Sequence, residues 1–281
     1  MNPALTELAA FDLDGTLLRP DGTLSPYARR AVCDAAACGV EIVIASGRSY
    51  HSLPRELLSL GAVRYAITSN GAAVCRVPDG TRVFSMTLPE HAVRGALALV
   101  PDGIVVEGFY RGVPHCDARY VEDPIAFGCS PAYVPYVQST RTPEDNIRAF
   151  LLSHADELDS LNIVCPDADR RASLQALLTG ALENVLFTSS TPHLLEIVHA
   201  RAGKGAALRA LCQLLGVSRT HTAAFGNADN DADMLAFAGL GVAVSDASPA
   251  CLAAADEVCD SCALDGAAAV LRRIADAKRA R

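Results

Sequence analysis

Short apolar runs rich in β-branched residues alternate with stretches of helical periodicity at both ends of the chain. Near the N-terminus this patterning predicts strands over residues 8–12, 41–45 and 65–68, with helices over 26–38 and 52–60 between them. Towards the C-terminus it predicts helices over 204–215, 231–238 and 265–278 around strands over 222–225 and 241–244. Strands separated by helices are joined by crossovers, which return the chain in the same direction, so both ends are expected to share one parallel α/β sheet. The middle is patterned differently. Prolines recur between positions 78 and 192, and shorter elements are predicted: strands over 103–108, 133–138, 161–165, 185–188 and 194–198, and helices over 90–99, 143–151 and 172–178. Residues 80–198 are therefore expected to form a second, smaller α/β domain inserted into a discontinuous core built from 1–79 and 199–281.

Composition narrows the partners. The 281 residues are 51% hydrophobic and 20% charged, a balance that supports packed cores and excludes a disordered chain. The net charge of −8 supplies no global positive field, so neither nucleic acid nor an anionic membrane is expected as a partner, and any attraction for an anion has to be local. Residues 1–15 lack the basic start of a secretory leader, and no window approaches the roughly 18 uninterrupted apolar residues of a membrane span, so a cytoplasmic protein is expected. Ten cysteines are scattered through the chain, and Cys33, Cys38, Cys165, Cys212 and Cys251 in apolar or small-residue contexts read as reduced core residues. Cys259 and Cys262 have the spacing of a redox pair or half a zinc site. No second pair at comparable spacing accompanies them, which favours a structural role.

Four segments carry chemistry. Phe11-Asp12-Leu13-Asp14-Gly15-Thr16 lies where an apolar strand runs out, and residues two apart on an extended chain point the same way, so Asp12 and Asp14 are expected to project together at the end where open α/β sheets bind ligands. Two adjacent carboxylates repel unless a cation or a shared proton compensates; the alternative is a plain acidic turn. At Ser46-Gly47-Arg48 a second strand ends in a hydroxyl and free backbone N–H groups suited to an anion, or in an ordinary Ser-Gly turn. Lys204 opens a helical stretch, where the macrodipole disfavours a cation unless an anion sits nearby; a surface lysine is the alternative. Gly226-Asn227-Ala228-Asp229-Asn230-Asp231 is dense in oxygen donors of the kind that hold Mg²⁺, and equally suits a solvated turn capping the next helix.

In order and approximate spacing these segments resemble the haloacid dehalogenase superfamily of phosphotransferases, most closely its Cof-type, sucrose-phosphatase-like branch. The resemblance extends to Thr68-Ser69-Asn70-Gly71-Ala72, to Leu195-Glu196-Ile197, and to Gly241–Val244 with the Asp256 and Asp265 segments behind it. It implies a Rossmann-like parallel-sheet core with an inserted α/β cap that selects substrate. It also implies a Mg²⁺-dependent phosphatase acting on a small phosphomonoester, such as a sugar phosphate or a phosphorylated cofactor. On this resemblance Asp12 is the nucleophile that forms an aspartyl-phosphate, and Asp14 the general acid and base. Leu13, Ser46, Gly47, Arg48, Lys204 and Asn230 would hold the phosphoryl group, and Asp12, Asp14 through its carbonyl, Asn227 and Asp231 would hold Mg²⁺. One position departs from the family pattern: Asn227 stands where an aspartate is usual, which keeps an oxygen donor but removes one negative charge. A phosphomutase, or a non-catalytic phosphometabolite-binding protein, is the alternative function, and a monomer or homodimer is expected. In the cap, His115, Asp117, Arg119 and Glu122 form a polar cluster that either faces the leaving group or is a solvated loop.

Overall fold

The strands predicted at the two ends of the chain join one sheet in the computed structural model, which describes residues 2–77, 79–189 and 193–280. In chain order the strands are β1 (Leu8–Phe11), β2 (Glu41–Ala45), β3 (Val63–Thr68), β4 (Ala73–Arg76) and β5 (Arg82–Ser85). Then come β6 (Val105–Tyr110), β7 (Val113–Asp117), β8 (Thr142–Glu144), β9 (Leu158–Val164), β10 (Val185–Thr188) and β11 (Leu194–His199), followed by β12 (Thr222–Gly226), β13 (Leu240–Val244) and β14 (Glu257–Cys259). Two compact units result: Met1–Gly47, Leu53–Phe84 and Gly203–Arg281 make the first, and Arg48–Ser52 with Ser85–Ala202 the second. Pro78 and Pro192, two of the breakers, lie outside the described residues. Among the described residues no helix is long and apolar enough to cross a membrane.

The sheet of the first unit runs β14-β13-β12-β1-β2-β3-β4-β5, parallel from β14 to β3 and antiparallel between β3 and β4. β1 lies at its centre and is wholly buried, which is why it reads as an unbroken apolar run rather than an alternating one. Phe11 and Phe225 pair across β1 and β12 with rings stacked 4.2 Å apart. Leu8, Ala10, Val43, Ala45 and Ala224 share a core with Leu208 and Leu211 of the Lys204–Leu215 helix and with Met234 and Leu235 of the Ala232–Phe237 helix. The Pro26–Ala37 helix starts on Ser25, whose hydroxyl accepts the Ala28 N–H, and packs against the Gly266–Arg279 helix, joined by an Arg272–Asp34 ion pair at 2.6 Å.

The second unit is a sheet in the order β10-β11-β9-β6-β7-β8, antiparallel except for β7 and β8. One face carries Val106, Leu161, Ile163, Leu195 and Ile197, packed against the helices Glu90–Leu99, Ile147–Ser153 and Ala168–Thr179. The strand expected over 133–138 is instead part of a helix, Val134–Thr140. Its alternation of Tyr and Val imitates a strand, but Pro135 sits in the first helical turn, where a missing N–H costs nothing, and Val137 faces the core formed by Val105, Cys116 and Tyr120. The helix expected over 143–151 begins only at Ile147, after Asn146 as its cap, because Thr142–Glu144 pairs as a strand with β7.

Candidate active site

Parallel neighbours end at one edge of a sheet, so the residues that follow β12, β1, β2 and β3 are brought side by side. The Asp12 N–H donates to the Phe225 carbonyl at 2.9 Å, the Ser46 N–H to Ile67 at 2.9 Å, and the Asn70 N–H to Ser46 at 3.2 Å. These bonds tie the Asp12 segment to β12, and the Ser46 segment to β3 and the turn after it, before any side chain is considered. Past Phe11 the chain stops being extended: the Leu13 carbonyl accepts N–H bonds from Thr16, Leu17 and Leu18 in a tight turn. The two carboxylates consequently differ in environment, with Asp12 only 6% exposed and Asp14 exposed. Side chains two apart share a face only while the strand runs.

Lys204 brings in the fourth segment. Its ammonium, 1% exposed, donates to Asp12 Oδ1 at 2.7 Å and to Asp231 Oδ1 at 2.6 Å. Burial alone would lower the lysine's pKa, but the flanking carboxylates Asp12 and Asp231 outweigh it and hold the group charged. Asp12 is the strained member. Burial, then the Asp231 charge, push its carboxyl up to about 7 against the pull of Lys204, and the Asp14 charge adds a smaller push. Asp12 Oδ2 is buried with no hydrogen-bond partner among the described residues, a situation that buried polar atoms rarely tolerate without a ligand or ion.

The acidic segment is folded tightly round the same point. Asp231 is fully buried; its Oδ2 accepts the N–H groups of Asn227 and Ala228, each at 3.0 Å, so both of its oxygens are engaged within the protein. The Thr16 hydroxyl donates to Asn227 Oδ1 at 3.2 Å, which ties the first segment to the fourth. Asn230 donates through Nδ2 to Asn70 Oδ1 at 2.9 Å, and its own Oδ1 is buried without a partner among the described residues. Among the described residues no group of three or more His, Cys, Asp or Glu side chains is arranged to hold a metal. The local donors are instead a mixed set of hard oxygens: the orphaned Asp12 Oδ2, the Asp14 carbonyl and the Asn227 amide. That set suits Mg²⁺, which keeps several waters and needs few protein ligands.

Arg48 stands apart. It belongs to the second unit, where its guanidinium lies 4.8 Å from the Tyr136 ring centroid and donates to the Ser52 carbonyl at 3.3 Å. Gly47 closes the first-unit segment. His115 and Asp117 are likewise engaged within the second unit, with Glu144 at 2.7 Å and with the Arg119 side chain. One supporting residue escaped prediction. Asp233 Oδ2 accepts the Gly205 N–H at 2.9 Å and so caps the helix that Lys204 opens. Ser69 and Asn70 adopt positive φ, 52° and 53°, in a Ser-Asn-Gly turn; the turn composition was the available signal. At Gly71, φ +89°, a Cβ would lie 2.1 Å from the Gly203 carbonyl oxygen, so only glycine lets this turn rest against the residue preceding Lys204.

The chain is similar to known proteins over most of its length. The family described as haloacid dehalogenase-like hydrolase matches residues 9–271. An HMP-PP phosphatase of Yersinia pseudotuberculosis serotype I (strain IP32953) is 29% identical over 247 residues, covering 86% of this chain and 85% of that protein. The structure of a haloacid dehalogenase-like hydrolase from B. subtilis superposes with a TM-score of 0.80 at 25% identity, over 95% of this chain and 99% of that one. A phosphatase of the haloalkanoate (HAD) enzyme superfamily from Bacteroides thetaiotaomicron gives 0.77 at 22% identity, over 96% of each chain, a likeness of fold.

Proposed function

The chain belongs to the haloacid dehalogenase-like hydrolases, and from that premise we propose that it is a Mg²⁺-dependent phosphatase, hydrolysing a small phosphomonoester through an aspartyl-phosphate on Asp12. The observation that carries this reading is the buried Asp12–Lys204–Asp231 array with one Asp12 oxygen left over. Lys204 orients the Asp12 carboxylate, and one of its oxygens forms the new bond to phosphorus as the bond from phosphorus to the leaving oxygen breaks. Asp14, exposed and so able to exchange protons with water, gives its proton to that oxygen. Water then attacks phosphorus, Asp14 takes its proton back, and the Asp12 carboxylate is released. Lys204, the Ser46 hydroxyl, the Leu13 and Gly47 N–H groups and Asn230 hold the phosphoryl oxygens, with Arg48 a further phosphate contact. Asp12, the Asp14 carbonyl and Asn227 would hold Mg²⁺. Bound there, the ion would offset the repulsion between a carboxylate and a phosphate dianion. Asp231, already engaged by Lys204 and two N–H groups, would contribute charge, directly or through water.

The relative named HMP-PP phosphatase supports a small, soluble phosphorylated substrate. In this reading 80–198 acts as the cap that selects it, and the protein works in the cytoplasm without nucleic acid or membrane. Hydrolysis of p-nitrophenyl phosphate with and without Mg²⁺, beside Asp12→Asn, tests the reading. Turnover that depends on Mg²⁺ and falls at least about a thousandfold in the variant is expected, a loss of about 4 kcal/mol of transition-state stabilisation; equal rates in variant and parent would refute it.

A further inference from the structure

Three successive residues in the turn after β3 take positive φ: Ser69 at 52°, Asn70 at 53° and Gly71 at 89°. Only the glycine does so without steric cost, and Asn tolerates the left-handed region better than most side chains. Backbone strain of this kind persists where surrounding contacts hold it, and it gathers at functional sites.

Asn70 is where those contacts converge, all of them within the first unit. The residue is 4% exposed. Its N–H donates to the Ser46 carbonyl at 3.2 Å. Its side-chain amide lies over Gly47, where a Cβ would stand 3.0 Å from Oδ1 and 3.4 Å from Nδ2, so the missing side chain at position 47 makes room for it. Its Oδ1 accepts from Asn230 Nδ2 at 2.9 Å. One buried residue therefore joins the Ser46–Gly47 segment to Asn230, and the glycine after it rests against Gly203, immediately before Lys204.

The bond to Asn230 has a directional consequence. A primary amide nitrogen carries two hydrogens. Asn70 Oδ1 takes one of them, which fixes the plane of the Asn230 amide and the direction of the other hydrogen. Without that acceptor the last torsion of the Asn230 side chain has no preferred setting, because its energy well is broad. Asn230 Oδ1 is buried with no hydrogen-bond partner among the described residues, a state that a bound ligand or water relieves.

We propose that Asn70 is a positioning residue for phosphoryl transfer. It fixes the Asn230 amide so that the second N–H meets a phosphoryl oxygen, and its turn holds the Ser46–Gly47 backbone ready for the same group. The proposal rests on the phosphatase reading above and adds the residue that orders two of its phosphate contacts. Asn70 acts through Asn230 and forms no bond to the substrate.

A double-mutant cycle in p-nitrophenyl phosphate turnover tests it. Asn70→Gly keeps the left-handed turn and removes the acceptor, and Asn230→Ala removes the donor. Each is expected to lower kcat at least tenfold while melting within about 5 °C of the parent, and the double variant should fall no more than about twofold below the lower single one. Asn70→Asp keeps both the turn and an acceptor, so kcat should stay within about threefold of the parent while the added charge raises KM. Losses that multiply in the double variant, no loss in Asn70→Gly, or an Asn70→Asp kcat as low as that of Asn70→Gly would overturn the proposal. If Asn70→Gly does not fold, the other two variants decide: kcat kept in Asn70→Asp and lost in Asn230→Ala supports the proposal, and any other result overturns it. A parent with no turnover would count against the phosphatase reading instead, and calorimetric titration with inorganic phosphate then judges Asn70. Affinity weakened at least tenfold by Asn70→Gly and by Asn230→Ala, and no further by both, would uphold the proposal; phosphate that binds every chain alike, or none, would overturn it.

Discussion

Asp12 shows how much a single side chain is asked to bear. Its pKa rises from the usual 3.8 to about 7, first through burial and then through the Asp231 charge. Between those two values the folded chain holds a proton that the unfolded chain has released, so in metal-free protein Asp12 makes stability fall as pH rises through that window, with the full penalty present above it. Asp12→Asn removes the penalty. In EDTA the variant should melt several degrees above the parent at pH 8, with the gap narrowing at pH 5; a gap of the same size at both, or a reversed one, would contradict the account. Asn227 makes the opposite kind of prediction, because its neutral oxygen leaves the metal-facing donors short of one charge. Asn227→Asp should lower the Mg²⁺ concentration for half-maximal activity severalfold, and an unchanged or higher requirement would count against these ligands. Asp12, Lys204 and the 226–231 segment were legible in the sequence because a buried cation between carboxylates leaves unusual residues at strand and helix ends. Asp233 was not, because a cap supplied by a neighbouring helix leaves no local pattern at the helix it caps.

At the level of elements, the turn after β3 and the start of the Lys204–Leu215 helix touch without room for a side chain. Gly71→Ala has to accommodate both positive φ and a Cβ placed against the Gly203 carbonyl. It should cost at least about 2 kcal/mol in urea unfolding. Gly22→Ala, also at positive φ (+78°) but with nothing within 4 Å, pays the conformational penalty alone and should cost about 1 kcal/mol. Equal costs would show that the close approach contributes nothing. Elements whose periodicity and capping agree were predicted nearly to the residue: Glu41–Ala45, Glu90–Leu99 and Lys204–Leu215 have the expected bounds. Val134–Thr140 was misread because aromatic and β-branched residues carry strand propensity, while a short helix with Pro135 in its first turn and Val137 packed against the core decides the outcome. The short strands β4, β5 and β7 lie where the pattern is too brief to be distinctive.

Over the whole molecule, the alternation of strands and helices at the two chain ends was enough to predict one parallel sheet, since sequence-distant strands pair according to crossover geometry rather than proximity. The pairing of β1 with β12, more than two hundred residues apart, is what sets Asp12 beside Asn227 and Asp231. The sheet of the second unit was less legible, because antiparallel strands of mixed polarity interrupted by prolines give weaker periodic signals. The net charge of −8 gave no hint of a phosphate site, because the compensating charge is a single lysine buried between two carboxylates. The most direct test of the central claim is to mix the protein with Mg²⁺ and a phosphomonoester, quench in acid within one turnover, and map the peptides by mass spectrometry. The account predicts that the peptide containing Asp12 gains the mass of one phosphoryl group on that residue and that Asp12→Asn abolishes the gain; turnover with no phosphorylated Asp12, or with the group on another residue, would contradict it.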